Sequence, residues 1–282
     1  MSTHRCFNRL IDDAAIFPPG NAPLATAVAD HHEHRGSAHA WLVGPLLVRD
    51  RDIAELEELN HQPLQIGVIA TSGPAELHEA VRRAASSRHL TVIYVEIAVP
   101  AHPELRAATI DLLGELAWAK EGPVVSIELP LPGAEVTAAW TAAVDAIGAA
   151  GHQVKLRTGG TSAEAHPGEA DLATALAVLV GRRRRFKLTA GLHRAVRNTQ
   201  TGTGFEQHGF LNVLVAVRAL LSGASSEEAS VILTERDQGV LAAIVAAWDA
   251  DQMDAVREIF RGFGSCSVGE PYGELVALGL AE

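Results

Sequence analysis

Short apolar runs recur along this chain, and each is followed by a longer stretch with helical spacing of apolar positions. The runs lie near residues 14–17, 39–44, 64–70, 90–97, 123–129, 152–157, 185–189 and 263–268. The helical stretches lie near 23–35, 50–60, 74–87, 101–119, 133–150, 168–180, 206–222 and 271–280. This alternation predicts an α/β protein built from repeated βα units. Eight units suit a closed (β/α)8 barrel, and 282 residues is close to the ~250 usual for one. An open, doubly wound sheet is the alternative.

The helical stretches carry their own signals. Leu105, Ile110, Leu113 and Leu116 recur at near-helical spacing. Pro74 suits a first turn, and Gly151 suits a helix stop. Residues 225–261 exceed the eightfold pattern and read as three short helices between the seventh and eighth strands. Ser225 with Glu228 predicts a capping box at their start. No linker or low-complexity stretch divides the chain, so residues 1–282 are expected to form a single barrel domain with 225–261 as a helical insertion.

Charged residues then change the picture. Glu96, Glu128, Lys155 with Arg157, and Lys187 lie near the C-terminal ends of four successive apolar runs. Strand side chains alternate between faces. Tyr94 and Glu96 therefore share a face, as do Ser126 and Glu128, Lys155 and Arg157, Lys187 and Thr189, and Ser265 and Ser267. Ile93, Val95, Val125, Ile127, Val154, Leu156 and Leu188 fall on the opposite face. The simplest arrangement puts the polar set inside a barrel, near its C-terminal mouth. Ionised groups there cost desolvation energy unless they are paired or liganded. Either a ligand site or a salt-bridged plug satisfies that demand.

Composition narrows the function. A net charge of −11 disfavours a nucleic-acid surface, and Arg182, Arg183, Arg184 and Arg185 read as a solvated lead-in to a strand. No apolar run reaches membrane-spanning length, and the first residues lack an apolar signal, so a cytoplasmic protein is expected. Two cysteines, Cys6 and Cys266, give no zinc motif, and parity points Cys266 outward. Aromatic content of 5% favours a small polar substrate over stacked sugars or bases. Neither a GxGxxG after a strand nor a GxxxxGK[ST] is present. The expected partner is a small anionic metabolite, with no nucleic acid, no membrane, and room for a homo-oligomer.

Candidate chemistry centres on the strand ends. A lysine beside other charges, partly desolvated, can act as a base or form a Schiff base, which suits Lys155 or Lys187. Arg157 can grip a carboxylate or phosphate. Glu96 and Glu128 can carry protons. Thr158, Gly159, Gly160, Thr189, Ser265 and Ser267 are candidate substrate contacts, the glycine turn and the serines as anion cradles. His193 follows the seventh strand and can carry a proton. It can also join Glu96 and Glu128 as a metal ligand, which leaves a divalent metal as an alternative to a cofactor-free site. His208 and Asn212, four residues apart, are expected on one helix face.

The stretch around Lys155, V-K-L-R-T-G, resembles that of class I aldolase barrels of the deoxyribose-phosphate aldolase type, which have the (β/α)8 TIM fold. The resemblance covers a handful of residues within 155–190. It implies a Schiff base on Lys155, with Lys187 as the neighbouring lysine that tunes it. An acidic partner would come from Asp12 or Asp13. Arg157 departs from the small residue of that pattern. The expected function is a lyase acting on a small anionic carbonyl compound. The alternatives are a metal-assisted isomerase or lyase at the mouth, and a non-catalytic anion-binding or structural barrel.

Overall fold

A computed structural model describes residues 4–133 and 135–281. In chain order the first half comprises α1 (His4–Phe7), β1 (Ile11–Asp13), α2 (Leu24–Gly36), β2 (Val43–Arg49), α3 (Ile53–Leu59), β3 (Leu64–Ile69), α4 (Pro74–Ser86), β4 (Leu90–Ala98), α5 (Leu105–Glu115) and β5 (Val124–Glu128). The second half comprises α6 (Ala138–Ala149), β6 (Gln153–Arg157), α7 (Glu169–Gly181), β7 (Phe186–Thr189), β8 (Asn198–Thr199), β9 (Glu206–Gln207), α8 (Phe210–Leu221), α9 (Ser226–Thr234), α10 (Gln238–Ala246), α11 (Ala250–Ile259), β10 (Phe260–Ser265) and α12 (Gly269–Ala277).

Eight parallel strands close into a barrel in the order β1-β2-β3-β4-β5-β6-β7-β10, with β10 returning to β1. Helices alternate with these strands, so the chain has the (β/α)8 TIM-barrel fold, and the open-sheet alternative falls away. The outward strand residues join the helices in one apolar shell. Val95, Ile127, Leu156, Leu188 and Phe263 belong to it, together with Trp140, Leu176 and Phe210. A much smaller cluster, Ala14, Leu47 and Tyr94, fills part of the barrel interior. Two glycines make room there. A Cβ on Gly67 would meet Leu47 Cδ2 at 2.7 Å and Tyr94 Cε2 at 2.9 Å, and one on Gly44 would lie against Asp12.

Three strands differ from their expected positions. The first is Ile11–Asp13 rather than 14–17, because the chain turns at once: Phe17 N donates to Ala14 O. The second starts at Val43 rather than 39, since residues 37–42 close successive turns, with Ala40 N bonded to Ser37 O and Leu42 N to His39 O. The last is Phe260–Ser265 rather than 263–268, because α11 runs directly into it.

The segment between β7 and β10 holds α9, α10 and α11, as the pattern predicted. Its capping box is complete: Glu228 N donates to Ser225 Oγ, and Ser225 N to Glu228 Oε2. Asp249 and Gln252 cap α11 in the same way. Trp41 lies at the N-terminal side of β2, away from the mouth. The arginine run sits between α7 and β7, where Arg182 and Arg184 both pair with Asp145 of α6. Among the described residues, no helix is long and apolar enough to cross a membrane.

Candidate active site

The inward faces of β1, β4, β5, β6 and β7 carry the charged set. Register aligns Lys155 with Lys187 and Glu128 with Lys155 across neighbouring strands. Period-two alternation then stacks the interior in layers. Ser126 and Gln153 lie lowest and bond to each other, Gln153 Nε2 donating to Ser126 Oγ at 2.7 Å. Asp12, Tyr94 and Lys187 are buried with them, and Glu96, Lys155, Glu128, Arg157 and Thr189 reach the mouth.

One chain of ion pairs runs through these layers. Lys187 Nζ lies 2.5 Å from Asp12 Oδ2, 2.5 Å from Glu96 Oε1 and 2.7 Å from the Tyr94 hydroxyl. Glu96 Oε2 is 2.5 Å from Lys155 Nζ. Lys155 Nζ also lies 3.0 Å from Glu128 Oε2, and Glu128 Oε1 accepts from Arg157 Nε at 2.9 Å. Three carboxylates thus alternate with three cations from the barrel centre to its rim.

Environment sets the proton affinities. Burial pushes Glu96 up, but the charges and hydrogen bonds of Lys155 and Lys187 outweigh it and bring its carboxyl down to about 2. Burial opposes ionisation of Glu128 as well, and Lys155 with Arg157 lowers it on balance. Asp12 is raised, because burial exceeds the pull of Lys187. Burial disfavours the Lys187 ammonium, yet Asp12 and Glu96 raise its affinity on balance. Tyr94 is held well above its ordinary value by burial and by the two adjacent carboxylates.

A cavity of about 650 Å³ opens above this chain of charges at the C-terminal mouth of the barrel. Glu96, Glu128, Lys155, Arg157, Gly160, Thr161, Thr189 and His193 line it. Lys187 sits beneath this lining, with its side chain 2% exposed. The two candidate lysines therefore differ in depth: Lys155 meets the cavity, and Lys187 supports Glu96 from below.

Several expected contacts are placed elsewhere. Thr158 is buried and donates to Ala190 O at 2.7 Å, tying the β6 loop to the β7 loop. Gly159 packs against that same loop, where a Cβ would meet Gly191 Cα at 2.7 Å. Ser265 does not face the interior. Gly264 does, since a Cβ there would meet Leu47 Cδ1 at 3.2 Å, while Phe263 stacks outward on Phe210. Ser265 shares the outward face and donates to Ser267 O. Ser267 lines a neighbouring cavity instead. The shifted start of β10 reverses the expected parity, so Cys266 reaches the mouth rather than the shell.

The metal set is not assembled. Lys155 stands between Glu96 and Glu128, and His193 Nδ1 is 2.9 Å from Glu270 Oε2. Among the described residues, no group of three or more His, Cys, Asp or Glu is placed to hold a metal ion. His208 and Asn212 do not share a helix face, because α8 starts at Phe210. His208 instead lies between Arg197 NH1 and Pro167 O, and Asn212 Oδ1 accepts from Arg197 N.

Three members of the site were not placed by the sequence, although Asp12 or Asp13 was the acidic partner that the resemblance implied. Asp12 became legible only once β1 was known to span three residues. Tyr94 carried the right parity but no sign that its hydroxyl meets a lysine. His166 lines the mouth from the loop after β6 and lies against Phe205 of the segment between β8 and β9, with ring centres 4.9 Å apart.

Fold and site together define a (β/α)8 barrel with a charge-paired interior that opens into a mouth lined by both charged and apolar side chains. Compared with protein-family models, curated proteins and solved structures, the chain matches none.

Proposed function

We propose that the protein is a lyase of the aldolase type, which acts on a small anionic carbonyl compound through Lys155. The observation that carries this reading is the position of Lys155 Nζ at the cavity floor, between Glu96 and Glu128, with Glu128 shared by Arg157 on the rim. Fold supports an enzyme in general terms, since barrels of this kind place their chemistry at the C-terminal mouth.

The pairing suggests how an amine could be freed. Arg157 is half-exposed and is the outermost cation of the set. A substrate carboxylate or phosphate that takes its guanidinium removes one of the two cations that lower Glu128. Glu128 then gains proton affinity and can accept a proton from Lys155. The neutral amine adds to the substrate carbonyl, its nitrogen passes one proton to the new alkoxide, Glu128 gives that oxygen a second, and water leaves as the C–O bond breaks to give an iminium. Glu96 keeps its negative charge beside the forming cation. Thr189, Gly160, Thr161 and His193 surround the space where the rest of the substrate would lie.

The complete pairing of all six charges also supports a second reading, an anion-binding barrel without turnover. A cleavage and condensation assay across small phosphorylated and carboxylated aldols and 2-oxo acids separates the two. The lyase reading expects turnover that survives EDTA and falls on the order of 10³-fold or more in Lys155→Met, the scale of losing a covalent nucleophile. Full activity in Lys155→Met overturns it. Binding without turnover supports the second reading.

A further inference from the structure

A second constellation lies across the mouth from Lys155. Cys266 Sγ is 3.7 Å from His193 Nε2, and His193 Nδ1 is 2.9 Å from Glu270 Oε2. The end of β10, the loop after β7 and the first turn of α12 deliver these three side chains. An Nδ1–H donated to Glu270 leaves the Nε2 lone pair facing the thiol. That is the order of nucleophile, base and orienting carboxylate. Burial raises the Cys266 thiol, partly offset by a hydrogen bond from the Gly20 backbone. The resting group is therefore the thiol, and it needs the adjacent imidazole to lose its proton.

Cys266 and His193 line the barrel-mouth cavity and also a second cavity of about 560 Å³. The second cavity is walled largely by neutral hydrogen-bonding groups, including Asn198, Thr199, Gln200 and Gln207. With Arg194 paired to Glu274 and Glu270 paired to His193, this lining suits a neutral polar ligand.

We propose that Cys266, His193 and Glu270 form a second nucleophilic centre, which accepts the acyl group of a small neutral ester or amide. Sulfur adds to the carbonyl carbon while His193 Nε2 takes the thiol proton. The bond to the leaving group then breaks, and that group departs with the proton from His193. A thioester remains on Cys266. Water adds to it, again giving a proton to His193, and cleavage of the C–S bond returns the thiol and releases a carboxylic acid. The net change is hydrolysis, with water as the co-reactant. This centre does not depend on the lysine chemistry.

p-Nitrophenyl acetate is the probe, followed by peptide mapping and by release of nitrophenolate. The expected result is a burst with one acetyl group on Cys266. Cys6, which is fully buried, serves as an unlabelled internal reference. His193→Gln should slow acetylation by about 10²-fold, the usual scale for a general base. Glu270→Gln, a change at a half-exposed side chain, should slow it less and gives the same test if the His193 variant fails to fold. Acetyl found on lysines alone, or a Cys266 rate unchanged in a folded His193 or Glu270 variant, overturns the proposal.

Discussion

Lys155 and Lys187 differ in depth, one lining the mouth and the other buried beneath it. They are register partners on adjacent strands, and both were legible as inward-facing from parity alone. Their depth was not legible, because depth depends on strand starts and on how far each side chain reaches. Lys187 is enclosed by Asp12, Glu96 and Tyr94. Removing a buried partner leaves the opposing charges uncompensated, which typically costs roughly 3–5 kcal/mol. Lys187→Met is therefore expected to lower unfolding free energy on that scale in urea denaturation. Adding Asp12→Leu should recover part of the loss, since one of the two stranded carboxylates is then gone. A Lys187→Met protein as stable as the parent would show that the charge chain is not formed.

At the level of elements, the loops after β7 and β10 were the least legible part of the chain. β10, FRGFGS, holds two glycines and only two apolar side chains, which gives little pattern from which to set its register. Its shift from 263 to 260 placed Gly264 inside, Ser265 outside and Cys266 at the mouth. The segment from β7 to α8 holds its shape by polar bracing. His208 Nε2 faces Pro167 O at 2.9 Å, and its Nδ1 faces Arg197 NH1 at 3.3 Å. A proton on Nδ1 would confront the guanidinium. Burial and Arg197 accordingly hold His208 down at about 4, against an ordinary value of 6.5. The folded protein binds fewer protons here than the unfolded chain between those values. The stabilising contribution is thus present above pH 6.5 and is lost as pH falls toward 4. Urea midpoints at pH 7 and pH 4.5 should differ more for the parent than for His208→Gln. Equal differences in the two proteins would contradict the bracing role.

For the whole molecule, eight apolar runs alternating with helical stretches were enough to predict a closed barrel and the extra helices before its last strand. Polar parity placed the charged set on the inner face, because a buried parallel strand tolerates charge there only where partners or solvent are near. Ring closure between β1 and β10, and the meeting of Asp12 with Lys187 across it, are long-range facts that no local pattern carries. The central claim is that Lys155, and not Lys187, meets substrate at the floor of the mouth. Borohydride reduction in the presence of pyruvate or glyoxylate, followed by peptide mapping, tests it most directly. The account predicts a reduced adduct on Lys155, absent in Lys155→Met, with Lys187 unmodified. An adduct on Lys187, or none on either lysine across a panel of small anionic carbonyl compounds, would contradict it.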